Sequence, residues 1–265
     1  MRRVVFNQKG GVGKSSIACN LAAISALNGK RTLVLDLDPQ ANSTQYLLGH
    51  DHESEKTIAE YFNQTLSFSL LSVKPEDFVQ ETRFENLHVI ASSPELEDLE
   101  SKLESRHKIY KLRDLLKKLD ANYDEVYIDT APALNFYTMS ALICAEKVLI
   151  PFDCDAFSRQ AIYNIIEVIQ EVASDHNDKL KIEGIVVNQF QSRANLPTQI
   201  IEELKAEKQP ILPIYLNHSV KMRESHNACS PLIHFAPSHN LTNQFVELYD
   251  HLGSKGSKGR KRKVA

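Results

Sequence analysis

The residues best suited to chemistry lie near the start of the chain, at positions 6–16, which read FNQKGGVGKSS. Gly13, Lys14 and Ser15 match the end of the phosphate-binding pattern G-x-x-x-x-G-K-[ST]. Where that pattern begins with glycine this chain has Gln8, and a second lysine, Lys9, lies inside the loop. The residues therefore predict a phosphate site that carries two cations.

The segments around this loop support that interpretation. RRVVFN predicts a strand before it and SSIACNLAAISALN a helix after it, which is the context that a phosphate loop needs. Backbone amides of the glycines and of the helix N-terminus can then hold phosphate oxygens. We expect Lys14 to reach the terminal phosphates, Ser15 to place its hydroxyl on Mg²⁺, and Ser16 to lie near the first phosphate. The predicted phosphate-binding residues of the loop are Gly10, Gly11, Val12, Gly13, Lys14, Ser15 and Ser16.

Three aspartates follow apolar segments that predict strands. Asp36 and Asp38 end LVLDLD two residues apart, so both side chains would point to one face of a strand, which Pro39 is expected to end. Asp129 ends VYID. Because ligands of open α/β sheets bind beyond the carboxyl ends of the strands, we expect these carboxylates on the same edge as the loop. A carboxylate in the position of Asp129 commonly lies near Mg²⁺.

Apolar strand-like segments alternate with amphipathic helical ones along the chain. The predicted strands are 2–7, 31–38, 86–92, 124–130, 147–152, 181–190 and 210–217. The predicted helices are 15–28, 93–119, 135–145, 158–173, 196–206 and 240–252, and the region 51–85 gives no clear prediction. Uniformly apolar strands separated by helices predict an α/β fold with a doubly wound, mostly parallel sheet and helices on both faces. We predict one domain over residues 1–253, followed by a flexible basic tail at 254–265.

Composition limits the function classes. The chain has 265 residues, of which 42% are hydrophobic, and no apolar run or leader that predicts a membrane span or a signal peptide. Its four cysteines are far apart, which favours free thiols in a reducing cytoplasm. The tail holds six of the 31 basic residues, which leaves 25 against 34 acidic ones, a net charge of −9 for the rest. The tail is either an arm that contacts polyanions or a solubilising extension.

The segments KGGVGKSS, DLDPQANST and YIDTAPAL resemble the ParA/MinD family of ATPases with a deviant phosphate loop, and within it the Soj-like ParA branch without a helix-turn-helix domain. The resemblance spans most of the chain, from Arg2 to about Leu252. It implies a P-loop fold, hydrolysis of ATP to ADP and phosphate, and ATP and Mg²⁺ as cofactors.

The resemblance also implies roles for individual residues. Lys9 would reach across an ATP-bound homodimer to the phosphates held by the partner subunit, and Asp38 would orient or activate the attacking water. Together with Lys14 these form the predicted catalytic set. The implied magnesium shell comprises Ser15, Asp36 and Asp129. Asn188, at the end of EGIVVN, would read the adenine.

Two departures from the family pattern stand out. Ser15 and Ser16 replace the commoner threonine pair but keep both hydroxyls, and Ala131 stands where proline is common in Asp-x-Pro-Pro. The C-terminal end lacks the apolar helix face of MinD relatives, so no stable membrane anchor is expected. A length of 265 residues also leaves no room for the amidotransferase domain of cobyrinic acid amide synthases.

The resemblance implies a DNA-partitioning or cargo-positioning ATPase of the cytoplasm and nucleoid. Such proteins bind non-specific DNA as ATP dimers, and a ParB-like or cargo adaptor protein stimulates hydrolysis. The candidate DNA contacts are Arg193, Lys221 and Arg223, each of which could equally be a solvated surface charge. Two alternatives stay open: a metabolic ATP-dependent ligase or amide synthase of the same fold, and a MinD-like positioning ATPase.

Overall fold

A seven-stranded sheet forms the centre of the protein. The computed structural model describes residues 1–54, 56–67, 74–154, 158–191 and 195–254. The strands are β1 (Arg2–Val5), β2 (Thr32–Asp36), β3 (Val79–Glu81), β4 (Leu87–Ile90), β5 (Glu125–Asp129), β6 (Lys147–Asp153) and β7 (Lys181–Asn188). Their order is β3-β4-β2-β5-β1-β6-β7, and every neighbouring pair is parallel except β3 with β4. The predicted mostly parallel α/β sheet is confirmed.

Helices cover both faces of the sheet, which explains why its strands are apolar throughout. The helices are α1 (Lys14–Leu27), α2 (Asn42–Leu48), α3 (Ile58–Leu66), α4 (Leu96–Ser105), α5 (Lys111–Leu119), α6 (Phe136–Cys144), α7 (Ser158–Asp175), α8 (Asn195–Ala206), α9 (Val220–Asn227), α10 (Leu232–Phe235) and α11 (Asn240–Ser254). Helices α1, α2, α10 and α11 bury their apolar residues against one face, and α3 to α8 do so against the other. None of the helices described is long and apolar enough to cross a membrane.

The structure corrects two of the predicted elements. Residues 210–217 are not a strand, because Pro210 and Pro213 have no amide hydrogen for a ladder, and the segment makes only two isolated bridges to the β7 side. The single helix predicted at 93–119 is two helices, α4 and α5, since His107 between them has a left-handed backbone (φ 52°). The unassigned region 51–85 contains α3, a 3₁₀ helix at Pro75–Phe78 and β3.

Both edges of the sheet are short or covered. At one edge, β3 has three residues. At the other, segment 210–217 lies along β7: Ile185 N donates to Pro210 O (2.8 Å) and Leu216 N donates to Val187 O (2.9 Å).

A balanced and largely buried cluster of charges lies at the amino ends of the strands, with Lys30 at its exposed side. Arg3 is 2% exposed, and it donates to Glu183 Oε1 (3.0 Å) and to the Tyr127 hydroxyl (3.0 Å). Tyr127 donates in turn to Glu125 Oε2 (2.7 Å), which also pairs with Lys30. Each charge in this cluster therefore has an opposite charge beside it.

Candidate functional site

The phosphate loop joins β1 to α1 at the carboxyl edge of the sheet. Gly13 precedes the helix with φ 90°, and a Cβ there would come within 2.2 Å of Asn188 Nδ2, so no side chain fits. Asn188 Nδ2 donates to Val12 O (2.8 Å), and Gln189 Nε2 donates to Gly11 O (2.8 Å). The end of β7 therefore holds the loop in place. The role of Asn188 as an adenine reader stays a prediction.

Lys14 lies folded against its own loop. Its side chain is largely buried, and Nζ donates to Lys9 O (3.0 Å). Burial lowers the pKa of Lys14, while the carboxylates of Asp129 and Asp38 oppose that effect. The ammonium group therefore lies in an electrostatic setting that an anionic phosphate would make more favourable.

Lys9 contacts the end of the neighbouring strand. Its Nζ lies 2.7 Å from Asp153 Oδ2, the last residue of β6, and its amide donates to Asn7 Oδ1 (2.8 Å). The Lys9 side chain is 38% exposed. Within a single chain the second cation of the loop is therefore engaged in an ion pair that sequence patterns did not predict.

Two aspartates form a buried pair beside the loop. Asp36 and Asp129 end neighbouring strands in register and are both fully buried. Burial, and for Asp36 the neighbouring Asp129, raises the pKa of Asp36 to about 8 and the pKa of Asp129 to about 6, although hydrogen bonds from Thr44 and Ser43 work against the rise. Like charges in a dry site create a demand for a cation.

The two carboxylates differ in how far their oxygens are satisfied. Asp36 Oδ2 accepts from the amide and the hydroxyl of Thr44 (2.8 Å each), and its Oδ1 accepts from Asp38 N (3.1 Å). Asp129 Oδ2 accepts from Ser43 Oγ (2.7 Å), which Cys19 Sγ supports (3.2 Å). Asp129 Oδ1 is buried and accepts no well-formed hydrogen bond.

That unsatisfied oxygen fits a hard cation. Oxygen donors are the ligands that Mg²⁺ prefers, and it usually keeps only one or two carboxylates beside the substrate phosphates. Ser15 is close enough to lower the pKa of Asp129 by hydrogen bonding, so its hydroxyl and that carboxylate form a candidate donor set. No group of three or more His, Cys, Asp or Glu residues suited to a metal occurs in the part of the chain that the structure describes.

Asp38 lies in the turn after β2, at the wall of a cleft of about 340 Å³ that the phosphate loop also lines. The strand ends at Asp36, earlier than predicted, because the Asp38 carbonyl accepts from Ala41 N (2.8 Å) and from Ser92 Oγ (2.7 Å) and so turns the chain. Its carboxylate accepts from Gln40 N (3.0 Å). The backbone contacts fix the turn that carries the Asp38 carboxylate beside the loop.

A second cleft of about 300 Å³ continues from the loop to Asn188, Asn217 and Met222. His226, in α9, lines both clefts, and its Nε2 lies 2.8 Å from Ser16 Oγ. Sequence reasoning missed it because 210 residues separate it from Ser16.

The predicted DNA contacts are spread over different settings. Lys221 pairs with Glu224 one turn further along α9 (2.6 Å). Arg223 is exposed and lines the cleft of about 300 Å³ together with Gly13 and Asn188, so it lies beside the proposed nucleotide site. Arg193 and tail residues 255–265 lie outside the described residues.

Known proteins give a consistent picture. A family model described as an AAA domain matches residues 3–182. The chromosome partitioning protein ParA of Myxococcus xanthus is 34% identical over 86% of this chain and 79% of its own length. The sporulation initiation inhibitor protein Soj of Bacillus subtilis is 28% identical over 95% and 98%. A Cyanothece McdA variant in complex with ATP has the same fold, with a TM-score of 0.83 and 23% identity over 100% of this chain and 98% of that one.

One comparison corrects the argument from chain length. Cobyrinic acid a,c-diamide synthase from Mycobacterium smegmatis, solved with an ATP analogue and magnesium, has a TM-score of 0.81 and 25% identity over 98% of this chain and 97% of that one. A chain of nearly the same length as this one therefore carries that name, so length alone does not separate the two functions. The partition proteins nevertheless reach higher identity over most of the sequence. This chain belongs to the ParA family of P-loop ATPases.

Proposed function

We propose that this protein binds and hydrolyses ATP with Mg²⁺, dimerises in its ATP state, and then binds DNA without sequence preference in order to position a DNA or protein cargo. A ParB-like or cargo adaptor protein would stimulate hydrolysis. The single observation that carries the proposal is the juxtaposition of a two-lysine phosphate loop with the buried Asp36–Asp129 pair, in a chain whose relatives are partition proteins.

The nucleotide chemistry follows from the contacts of the loop. Loop amides and Lys14 would bind the phosphates, and the Lys14 ammonium would leave the Lys9 carbonyl to do so. Mg²⁺, held by Ser15 and Asp129 with Asp36 behind them, would neutralise charge on the terminal phosphates. Asp38 would accept a hydrogen bond from the attacking water and so orient it toward the phosphate.

Dimerisation would use Lys9 in place of its contact within the chain. Exchanging Asp153 for a triphosphate gives Lys9 a partner with more negative charge, and the phosphate then lies between two subunits. ATP would thereby hold the dimer together, and hydrolysis would weaken it.

DNA binding would depend on local basic residues, because the chain outside the tail is acidic. Dimerisation would place two copies of Arg193, Lys221, Arg223 and the tail on one assembly. Affinity should then fall with salt at a log–log slope of about −0.9 for each phosphate contact.

Sedimentation and DNA binding test the proposal together. With a non-hydrolysable ATP analogue and Mg²⁺, we expect the wild-type protein to form dimers that bind unrelated duplexes equally well. Lys9→Ala should bind the analogue and stay monomeric, whereas Lys14→Ala should lose analogue binding. Wild-type protein that stays monomeric, or that binds DNA equally without nucleotide, would contradict the proposal.

A second candidate function is ATP-dependent activation of a small carboxylic acid, favoured by the likeness to the diamide synthase. Such an enzyme needs no cation in trans and no DNA. Stimulation of ATP turnover by duplex DNA would argue against it, and stimulation by a small carboxylic acid together with ammonia would favour it.

A further inference from the structure

His226 lies where two clefts meet: the cleft of about 340 Å³ beside the phosphate loop and the cleft of about 300 Å³ that extends to Asn188. Its ring stacks on Tyr46 with centroids 4.0 Å apart and planes inclined by 16°, while Nε2 lies 2.8 Å from Ser16 Oγ. It lines the cleft shared with Asp38 and also the cleft shared with Asn188. Gly13 and Ser16 of the loop line the same cleft as Asn188 and His226, so a ligand that fills this cleft from the loop would lie beside the ring.

The imidazole is suited to that position. A hydroxyl has one proton, so either Ser16 or His226 is the donor in their hydrogen bond, and each can reverse its role. When Ser16 turns its proton to a phosphate oxygen, a ring N–H at Nε2 can donate to the Ser16 oxygen or to the ligand itself. The stack on Tyr46 keeps the ring plane fixed during that exchange.

Helix α2 connects this ring to the carboxylate pair. On one side of α2, Ser43 donates to Asp129 and Thr44 donates to Asp36. On another, Tyr46 stacks on His226. A cation or phosphate that repositions the carboxylates therefore acts on the same short helix that holds the ring.

Helix α9 is held by the same group of contacts. The Tyr46 hydroxyl lies 2.9 Å from Ser225 Oγ, and Asn20 of α1 donates to the Tyr46 hydroxyl (3.3 Å). Because α9 also carries Lys221 and Arg223, a shift of Tyr46 or His226 moves basic residues.

We propose that His226 is a nucleotide-contacting and positioning residue, which binds the nucleotide between the phosphate loop and the Asn188 cleft and, through Ser16 and Tyr46, makes the affinity of α9 for polyanions depend on the nucleotide. The proposal rests on the proposed function for its polyanion, DNA. Nothing in its first half, the nucleotide contact, depends on DNA.

The test uses the full-length protein and two measurements. The first is affinity for a non-hydrolysable ATP analogue with Mg²⁺, by calorimetry. The second is the ratio of duplex DNA affinity with and without the analogue, by gel shift across salt concentrations. Allosteric coupling typically changes an affinity about 5–150-fold, so we expect a ratio in this range for the wild-type protein.

The central variant is His226→Phe, which keeps a ring on Tyr46 and removes the hydrogen bond to Ser16. We expect analogue affinity to fall roughly 3–10-fold, the effect of one lost hydrogen bond, and the DNA ratio to fall toward one. His226→Gln, which can still reach Ser16, should recover part of the analogue affinity. Tyr46→Phe keeps the stack but loses the contact with Ser225, so it should lower the DNA ratio more than the analogue affinity.

His234→Phe is the matched control. His234 also stacks on an aromatic ring, that of Phe84 (4.6 Å, 22°), but it lies in α10 outside both clefts. It should leave both measurements unchanged, and thermal unfolding of each variant checks that the fold is kept.

Each result decides one half of the proposal. Analogue affinity for His226→Phe equal to that of His234→Phe overturns the nucleotide contact. Weaker analogue binding with an unchanged DNA ratio overturns the coupling. If the wild type binds no DNA in any state, the coupling and the DNA part of the proposed function both fail, while analogue affinity still decides the contact.

Discussion

The strands of the sheet end in two buried charged clusters that differ in their balance. At the amino ends, Arg3 lies between Glu125 and Glu183, and although burial opposes it, hydrogen bonds from Lys30 and Tyr127 lower the pKa of Glu125. At the carboxyl ends, burial raises the pKa values of Asp36 and Asp129, and a neighbouring carboxylate adds to each rise: Asp129 for Asp36, and Asp38 for Asp129.

The difference supports the proposal that the first cluster is structural and the second functional. Burying charges is costly unless each has a partner, and the amino-end cluster meets that condition within the chain. At the carboxyl ends, the nearby cation is Lys14, which acts on Asp129 and is itself proposed to bind the phosphates. Two like charges buried side by side favour a bound cation, and such perturbed groups are common at functional sites.

The largest effect should come from the carboxylate next to the functional pair. Asp38→Ala removes the group proposed to orient water, so ATP turnover should fall roughly 10²–10⁴-fold while analogue binding is kept. Phosphate release measures this. The matched change at the other end, Glu125→Gln, should leave turnover per folded molecule unchanged, and equal losses in both variants would remove the distinction between the clusters.

Breaking the balanced cluster should reduce stability instead. Arg3→Met leaves Glu183 and Glu125 buried with less compensation, so the free energy of unfolding should fall by about 3–5 kcal/mol. Urea denaturation measures this. A loss below about 1 kcal/mol would show that the cluster contributes no more than a surface ion pair.

Removing one carboxylate of the functional pair should have the opposite sign. Asp129→Asn keeps an oxygen that can accept from Ser43 but ends the repulsion with Asp36, so the free energy of unfolding without Mg²⁺ should rise by roughly 1–3 kcal/mol. The same variant should lose Mg²⁺-dependent turnover. A variant less stable than the wild type would contradict the pKa assignment of the pair.

The smallest effect concerns pH. In chelator, the native Asp36–Asp129 pair keeps protons that the unfolded chain releases above about pH 4, so stability should fall as the pH rises from about 4 through 6 toward 8, by at most about 1.4 kcal/mol per pH unit for each proton. The lowered pKa of Glu125 acts in the other direction: its contribution is present above pH 4.5 and is lost as the pH falls further. Mg²⁺ should reduce the loss between pH 6 and 8, and an identical pH profile in chelator and Mg²⁺ would contradict the cation site.

The sequence predicted the parts of the site that depend on local patterns. A glycine-rich loop between a strand and a helix, and aspartates at the ends of apolar strands, placed Lys14, Asp36 and Asp129 at one edge because strand ends of a parallel sheet meet there. These positions follow from periodicity and strand direction alone.

Contacts between distant segments could not be predicted in this way. The pairing of Lys9 with Asp153 and the placement of His226 beside Ser16 depend on tertiary packing across 144 and 210 residues. The strand predicted at 210–217 was wrong because the apolar pattern did not include the missing donors of Pro210 and Pro213. The family resemblance supplied roles for Lys9 and Asp38 that composition and spacing do not contain.

The two closed edges of the sheet restrict how copies of this protein can join. A strand from another subunit cannot pair with β7, because segment 210–217 occupies its outer side. The three residues of β3 offer little to a neighbouring strand at the other edge. Continuous sheets across subunits are therefore disfavoured. Assembly is left to side chains and loops, whose contacts can be made and broken within one catalytic cycle because no backbone ladder has to be dismantled.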